Sequence, residues 1–148
     1  MKATVVRRYG PPEVAQIADV DAPTPRAGTV LIRVEAASVN SGDARIRGSR
    51  FPAGFGILAR LGLGISRPRQ PILGVALSGV VGAVGPDVTA FSVGDEVAGM
   101  TGARFGAHAE YAVAPVKGLA LKPAAVSFTD AAGAMFGGTT ALHFLRRT

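Results

Sequence analysis

The stretch from Pro71 to Gly99 limits the possible fold of this chain more than any other part of the sequence. Its first half carries no charged residue, and four glycines interrupt its apolar side chains: Gly74, Gly79, Gly82 and Gly85. If Val75–Val84 is a strand, the residues on both of its faces are small or apolar, which is typical of a strand buried on two sides. A glycine inside such a strand marks a bulge, a sharp bend or the close approach of another backbone. Two turns then follow, and the chain returns at Glu96, so the stretch predicts a small, strongly curved β-barrel.

The same stretch has three other interpretations: a membrane span, a phosphate-binding loop, and glycines that serve the fold alone. A membrane span is disfavoured because Pro71 and Pro86 bracket a run shorter than the about 20 residues that a transmembrane helix needs. A phosphate-binding loop is disfavoured because the glycines do not form G-x-G-x-x-G and no helical pattern follows them. The third interpretation is that the glycines serve the fold alone.

Composition supports a single domain of strands and turns. A chain of 148 residues can bury a substantial core, and 20 Gly and 10 Pro favour short strands over a helical bundle. No cysteine is present, so the chain holds no disulfide and no thiolate zinc site. The apolar run before Arg7 is too short for a secretory signal. We therefore expect a cytoplasmic protein without a membrane segment.

Positive charge is concentrated in one segment. The formal net charge is +6, and the segment from Arg45 to Arg69 contains six arginines and no acidic residue. It lacks the aromatic residues and the helix-turn-helix pattern that would support nucleic-acid binding, so no nucleic-acid partner is expected. A solvated basic loop is the favoured interpretation, and a phosphorylated cofactor or a neighbouring acidic domain is the alternative.

The clearest alternation of apolar and polar residues lies in Thr29–Asn40, which predicts a half-buried strand. The strand delivers Asn40 and Asp43 to the surface, where their side chains are suited to capping a turn and one short helical segment. Near the C-terminus, Ser127 begins a helix that Gly137 and Gly138 are expected to stop or kink. A second helix is predicted from Ala141 to Arg147.

Several of these segments together resemble the medium-chain dehydrogenases/reductases, and most of all their zinc-free, quinone-oxidoreductase-like branch. Gly74 to Val97 matches the pattern G-x-x-x-S-G-V-V-x-x-V-G-x-x-V-x-x-F-x-x-G-D-x-V, and Val39 to Gly48 is similar to the substrate-pocket segment of that family. The resemblance implies a mainly β chain with C-terminal helices, folded as a GroES-like, partly open β-barrel. It further implies a catalytic domain over residues 1–126 and a helical hinge over residues 127–148.

The resemblance also implies site residues. It places Asn40, Asp43 and Arg45 in the substrate pocket, and it places Asn40 and Thr140 near the nicotinamide of the cofactor. Many relatives carry a tyrosine where this chain has Arg45, so a proton-donor role is not expected there. Zinc-dependent relatives have a cysteine at the position of Asn40 and a His-Glu pair at Val75-Ala76, so no zinc is expected here. His108 is interpreted as an ordinary surface or packing residue.

The function implied is hydride transfer from NAD(P)H to a small quinone, enone or carbonyl. The dinucleotide-binding Rossmann unit of the relatives is absent before Thr148. We therefore expect a nucleotide-binding domain to act in cis or in trans, and the 148-residue chain alone to bind no NADP(H) and to be inactive. Uncovered apolar side chains such as Phe144 predict a homo-oligomer. The alternative is a non-enzymatic GroES-like barrel module used for binding or assembly.

Overall fold

The computed structural model describes residues 1–146. Its first element is a two-stranded antiparallel ribbon formed by β1 (Lys2–Val6) and β2 (Ala15–Asp19). A 3₁₀ turn at Pro12–Val14, preceded by Pro11, separates the two strands.

A five-stranded sheet forms the body of the protein, and all its neighbouring strands are antiparallel. Its strands, in chain order, are β3 (Thr29–Ala37), β4 (Ala76–Val84), β5 (Glu96–Met100), β6 (Tyr111–Pro115) and β7 (Leu119–Leu121). Their spatial order is β6-β3-β4-β5-β7. Single bridges from Ala3 to Ala109 and from Val5 to Ile72 join the ribbon to the segments that precede β6 and β4. The predicted mainly β, partly open GroES-like architecture is confirmed.

Strand β3 has the predicted alternation. Val30 and Ile32 are fully buried in the core, whereas Arg33 is exposed. The pairing of β3 with β4 shifts register between Leu31 and Ile32 and again between Val34 and Ala36. Such bulges increase the local twist of a strand and curve the sheet.

Strand β4 shows why one of its glycines is needed. A Cβ at Gly79 would lie 2.1 Å from the carbonyl oxygen of Arg33 on the neighbouring strand, so only glycine permits this backbone approach. Residues Ala76 to Gly79 are buried, as predicted. The prediction of burial on both faces fails towards the end of the strand, where Gly82 and Val84 are exposed.

Within residues 1–146, three α-helices accompany the sheet: α1 (Ser41–Gly48), α2 (Gly56–Leu63) and α3 (Phe128–Leu145). The expectation of two helices near the C-terminus is wrong, since α3 continues through Gly137 and Gly138. A glycine inside a helix costs about 1 kcal/mol but does not prevent the backbone hydrogen bonds from continuing. Arg147, the end of the predicted second helix, lies outside the described residues.

The start of α3 is fixed to the sheet, whereas its second half is exposed. Ser78 of β4 donates a hydrogen bond to the carbonyl of Phe128 over 2.5 Å, and Ala131 and Ala132 are buried. Lys122 bridges to Glu96 of β5 over 2.9 Å and lies over the Phe128 ring. No helix in residues 1–146 combines the length and the apolar character that crossing a bilayer requires.

Candidate functional site

The predicted site centres on the N-terminus of α1, where Asn40 and Asp43 form a reciprocal capping box. The Asn40 Oδ1 accepts hydrogen bonds from the backbone N–H of Gly42 over 2.8 Å and of Asp43 over 3.3 Å. In return, Asp43 Oδ2 accepts from the Asn40 backbone N–H over 3.0 Å. The predicted capped turn and short helix are thereby confirmed, and Asn40 is held in one orientation by its own cap.

Asp43 also ties α1 to the loop that precedes β4. Its side chain is only 5% exposed, so the expectation that β3 delivers Asp43 to the surface is wrong, and its Oδ1 accepts from the backbone N–H of Gly74 over 3.2 Å. The carboxylate therefore receives backbone donors from two separate segments. Hydrogen bonds of this kind offset the cost of burying a charged group.

His108 completes the cluster, which the sequence did not reveal. Its Nε2 lies 3.2 Å from the carbonyl oxygen of Ser38 and 3.9 Å from Asp43 Oδ2. The ring is 14% exposed, which supports the interpretation as a packing residue, and the structure adds an acidic neighbour that is not visible in the sequence. Ser38 and His108 are 70 residues apart in sequence. No local pattern brings such residues together.

Gly74 permits the close packing of this histidine. Its φ is +87°, a left-handed conformation that other residues rarely adopt. A Cβ at this position would lie 2.5 Å from Cδ2 of His108. Backbone conformation and available space therefore both require glycine beside the Asp43 carboxylate.

Two polar atoms near this cluster are buried without a hydrogen-bond partner in residues 1–146, namely Asn40 Nδ2 and Ser38 Oγ. Leaving a buried donor unpaired costs about 1–3 kcal/mol. The Asn40 amide retains two N–H donors, since only its oxygen serves the helix cap. This donor set fits an amide or carbonyl oxygen, such as those of a nicotinamide carboxamide or of a carbonyl substrate.

A cavity of about 290 Å³ lies beside the cluster. Its polar lining comes from Thr4, Asp43, Arg47 and His108, and the remaining lining is apolar: Val6, Pro12, Ala15, Val39, Ala44 and Leu73. Arg47 Nη1 is already engaged, since it donates to the carbonyl of Gly10 over 2.8 Å. The cavity can accommodate a small, largely apolar group next to buried polar atoms.

The other two residues predicted for the site do not join this hydrogen-bonded cluster. Arg45 is exposed on α1. Thr140 is exposed on α3, and its hydroxyl donates to the carbonyl of Phe136 over 2.7 Å rather than capping a new helix. In the part of the chain that the structure describes, no hydrogen bond links either side chain to Asn40 or Asp43.

The ligand positions of the zinc-dependent relatives hold Asn40, Val75 and Ala76. Within residues 1–146, no group of three or more His, Cys, Asp or Glu side chains is arranged to hold a metal ion. An amide and two apolar residues do not form the nitrogen and sulfur ligand set that zinc prefers.

Comparison with known proteins identifies the class of this fold. Residues 26–124 match the family described as the alcohol dehydrogenase GroES-like domain. The chain belongs to this family, and it is a quinone-oxidoreductase-like member of the medium-chain dehydrogenase/reductase superfamily.

Individual relatives agree with this class. A quinone oxidoreductase of Pseudomonas aeruginosa is 35% identical over 141 residues, which cover 95% of this chain and 39% of the relative. The chloroplastic NADPH-dependent alkenal/one oxidoreductase of Arabidopsis thaliana is 33% identical, covering 100% of this chain and 38% of the relative. The structure of the quinone oxidoreductase from Coxiella burnetii superimposes with a TM-score of 0.85 at 33% identity, over 99% of this chain and 44% of that protein. The chain thus spans less than half the length of these relatives.

Proposed function

We propose that this chain is the substrate domain of a zinc-independent reductase that transfers a hydride from NAD(P)H to a quinone, an enone or another small carbonyl compound. Two named relatives act on quinones and on alkenals or alkenones, and one of them depends on NADPH. The observation that carries the proposal is the Asn40 amide, which is rigidly capped and yet retains buried, unpaired donors.

In this proposal the residues around Asn40 bind and orient the cofactor and the substrate. The Asn40 Nδ2 donates to a carbonyl oxygen of the cofactor amide or of the substrate, and its orientation is maintained by the hydrogen bonds between Asn40 and Asp43. A bound NADPH would supply the hydride. His108 and Gly74 hold Asp43 in place from the other side. Arg45 and Thr140 complete the substrate and nicotinamide contacts, respectively, once a second domain closes over them.

The proposed boundary between the catalytic domain and the hinge lies at the start of α3. Residues 1–126 form the catalytic domain, and residues 127–148 form a helical hinge towards a nucleotide-binding domain supplied in cis or in trans. The second half of α3 exposes Phe136, Leu142, Phe144 and Leu145. They are spread around the end of the helix rather than along one face, and such a domain would cover these exposed apolar side chains.

The test is a fusion of the 148-residue chain to the nucleotide-binding domain of a similar quinone oxidoreductase, joined after Thr148. We expect NADPH oxidation that depends on an added quinone. Asn40→Ser retains a helix-capping oxygen but removes the amide donor, so kcat/KM should fall about tenfold while stability is kept.

Ser41→Ala, at the neighbouring exposed position, is the matched control and should leave kcat/KM unchanged. Equal rates in Asn40→Ser and Ser41→Ala would contradict the assigned role of Asn40. A fusion that folds but does not oxidise NADPH with any quinone or enone would favour the barrel-module alternative. Elemental analysis should find no stoichiometric zinc in the purified chain.

A further inference from the structure

A second groove, separate from the cavity beside Asp43 and His108, is lined by three arginines. Arg7, just after β1, and Arg67 and Arg69, in the loop after α2, border a groove of about 560 Å³. This groove and the cavity beside Asp43 and His108 share no lining residue. No acidic side chain lines the groove, and in residues 1–146 none of these three arginines forms an ion pair or a side-chain hydrogen bond.

The loop that carries two of these arginines has a defined shape. Tyr9 donates a hydrogen bond from its hydroxyl to the carbonyl of Gly64 over 2.6 Å, which joins the loop to the end of the first strand. The Arg69 backbone N–H donates to the carbonyl of Leu63 over 2.7 Å, and Pro68 is buried. The arginines therefore extend from a backbone that is ordered before any ligand binds. Such preorganisation lowers the cost of binding.

The charges lie close to this anchor. Partial burial raises the pKa of the Tyr9 phenol above its ordinary value, while the positive charges of Arg60 and Arg69 act in the opposite direction. Four guanidinium groups, those of Arg7, Arg60, Arg67 and Arg69, thus occupy the region around the loop. Like charges repel one another, and an anion bound between them would offset this repulsion.

We propose that Arg7, Arg67 and Arg69 form a binding site for a phosphate-bearing small molecule. The planar guanidinium group presents paired donors that match the oxygens of a phosphate. The volume of the groove is typical of sites for small ligands. The exposed Ser66 and the adjoining Ile65 line the same groove and offer a hydroxyl and an apolar surface to the rest of the ligand.

The test titrates inorganic pyrophosphate into the 148-residue chain by calorimetry at low ionic strength. We expect a Kd of about 1 mM or tighter. In Arg67→Gln/Arg69→Gln, binding should weaken at least about tenfold. The matched control is Arg26→Gln/Arg104→Gln, which removes the same net charge from two exposed arginines lining another groove. The control should bind like the wild type.

Equal weakening in both double variants would mean that pyrophosphate responds only to net charge, and it would overturn the proposal. No binding to the wild type would also overturn it. The single variant Arg7→Gln tests the opposite wall of the groove independently, and it should also weaken pyrophosphate binding.

Vesicles distinguish a lipid phosphate from a soluble one. Cosedimentation with phosphatidic acid vesicles but not with phosphatidylcholine vesicles, combined with no pyrophosphate binding, would overturn the assignment to a small soluble ligand. The outcome is independent of the proposed reductase function, because the substituted arginines lie outside the cavity beside Asp43 and His108 and the unfused chain is used. Weak NADPH binding that Arg67→Gln/Arg69→Gln abolishes would report this groove, since NADPH also contains a pyrophosphate.

Discussion

Replacing Gly74 by alanine tests the geometry of the candidate site most sharply. Alanine at a φ of +87° costs about 1–2 kcal/mol from backbone strain alone. Its Cβ would also lie 2.5 Å from Cδ2 of His108, so the histidine ring or the loop must shift. Overpacking of this kind adds about 1–3 kcal/mol. We therefore expect Gly74→Ala to lower the free energy of unfolding by about 2–5 kcal/mol.

Urea denaturation of matched variants separates the two contributions. Gly94 has a φ of +97°, but a Cβ there would meet no other atom within 4 Å, so Gly94→Ala should show only the backbone cost. In a His108→Ala background, the steric part should vanish, and Gly74→Ala should cost about as much as Gly94→Ala. An equal cost of Gly74→Ala with and without the His108 ring would refute this account of the site, because the two residues would then not be coupled.

Three further predictions concern other contacts. In urea denaturation, Asp43→Asn should lower the free energy of unfolding by about 1–3 kcal/mol, because an amide N–H₂ group cannot accept the backbone hydrogen bonds that the carboxylate accepts. The control Asp87→Asn, at an exposed position, should have little effect. Burial raises the pKa of the Tyr9 phenol above its value in the unfolded chain. The contribution of the neutral phenol to folding stability should therefore be complete below pH about 10 and be lost as the pH rises further. Tyr9→Phe should remove this pH dependence relative to the wild type. The isolated chain should self-associate through the exposed apolar side chains at the end of α3, so Phe144→Asp should shift its sedimentation towards the monomer and Val93→Asp should not; a wild-type monomer at high concentration would contradict this.

The fold was largely predictable because its signals are local or periodic. The alternation in Thr29–Asn40 identified β3, since burial of one strand face requires that pattern. The capping side chains Asn40 and Asp43 identified the start of α1, because they satisfy backbone donors within a few residues. Both features depend on neighbours in sequence.

Features that depend on tertiary packing were missed or misjudged. The contact of His108 with Ser38 and Asp43 joins segments that lie far apart in sequence, so no spacing rule could predict it. The Gly137-Gly138 pair indicated a helix end, but α3 continues, and its first turn is held to the sheet by Ser78. Local propensity was outweighed there by the continuous hydrogen bonding of an anchored helix.

We expect the Asn40 site to need a nucleotide-binding domain before it supports catalysis. Hydride transfer requires the nicotinamide carbon within about 3–3.5 Å of the acceptor carbon, and immobilising a flexible dinucleotide costs several kcal/mol. The two cofactor contacts proposed for this chain, Asn40 and Thr140, are too few to offset that cost.

The most direct measurement is a calorimetric titration of NADPH into the unfused chain and into the fusion described above, in both the wild type and Asn40→Ser. We expect an NADPH affinity no better than about 1 mM and no quinone-dependent turnover for the unfused chain, and tight binding with turnover for the fusion. Micromolar NADPH binding to the unfused chain that Asn40→Ser weakens would contradict it, because the 148 residues would then hold a complete cofactor site.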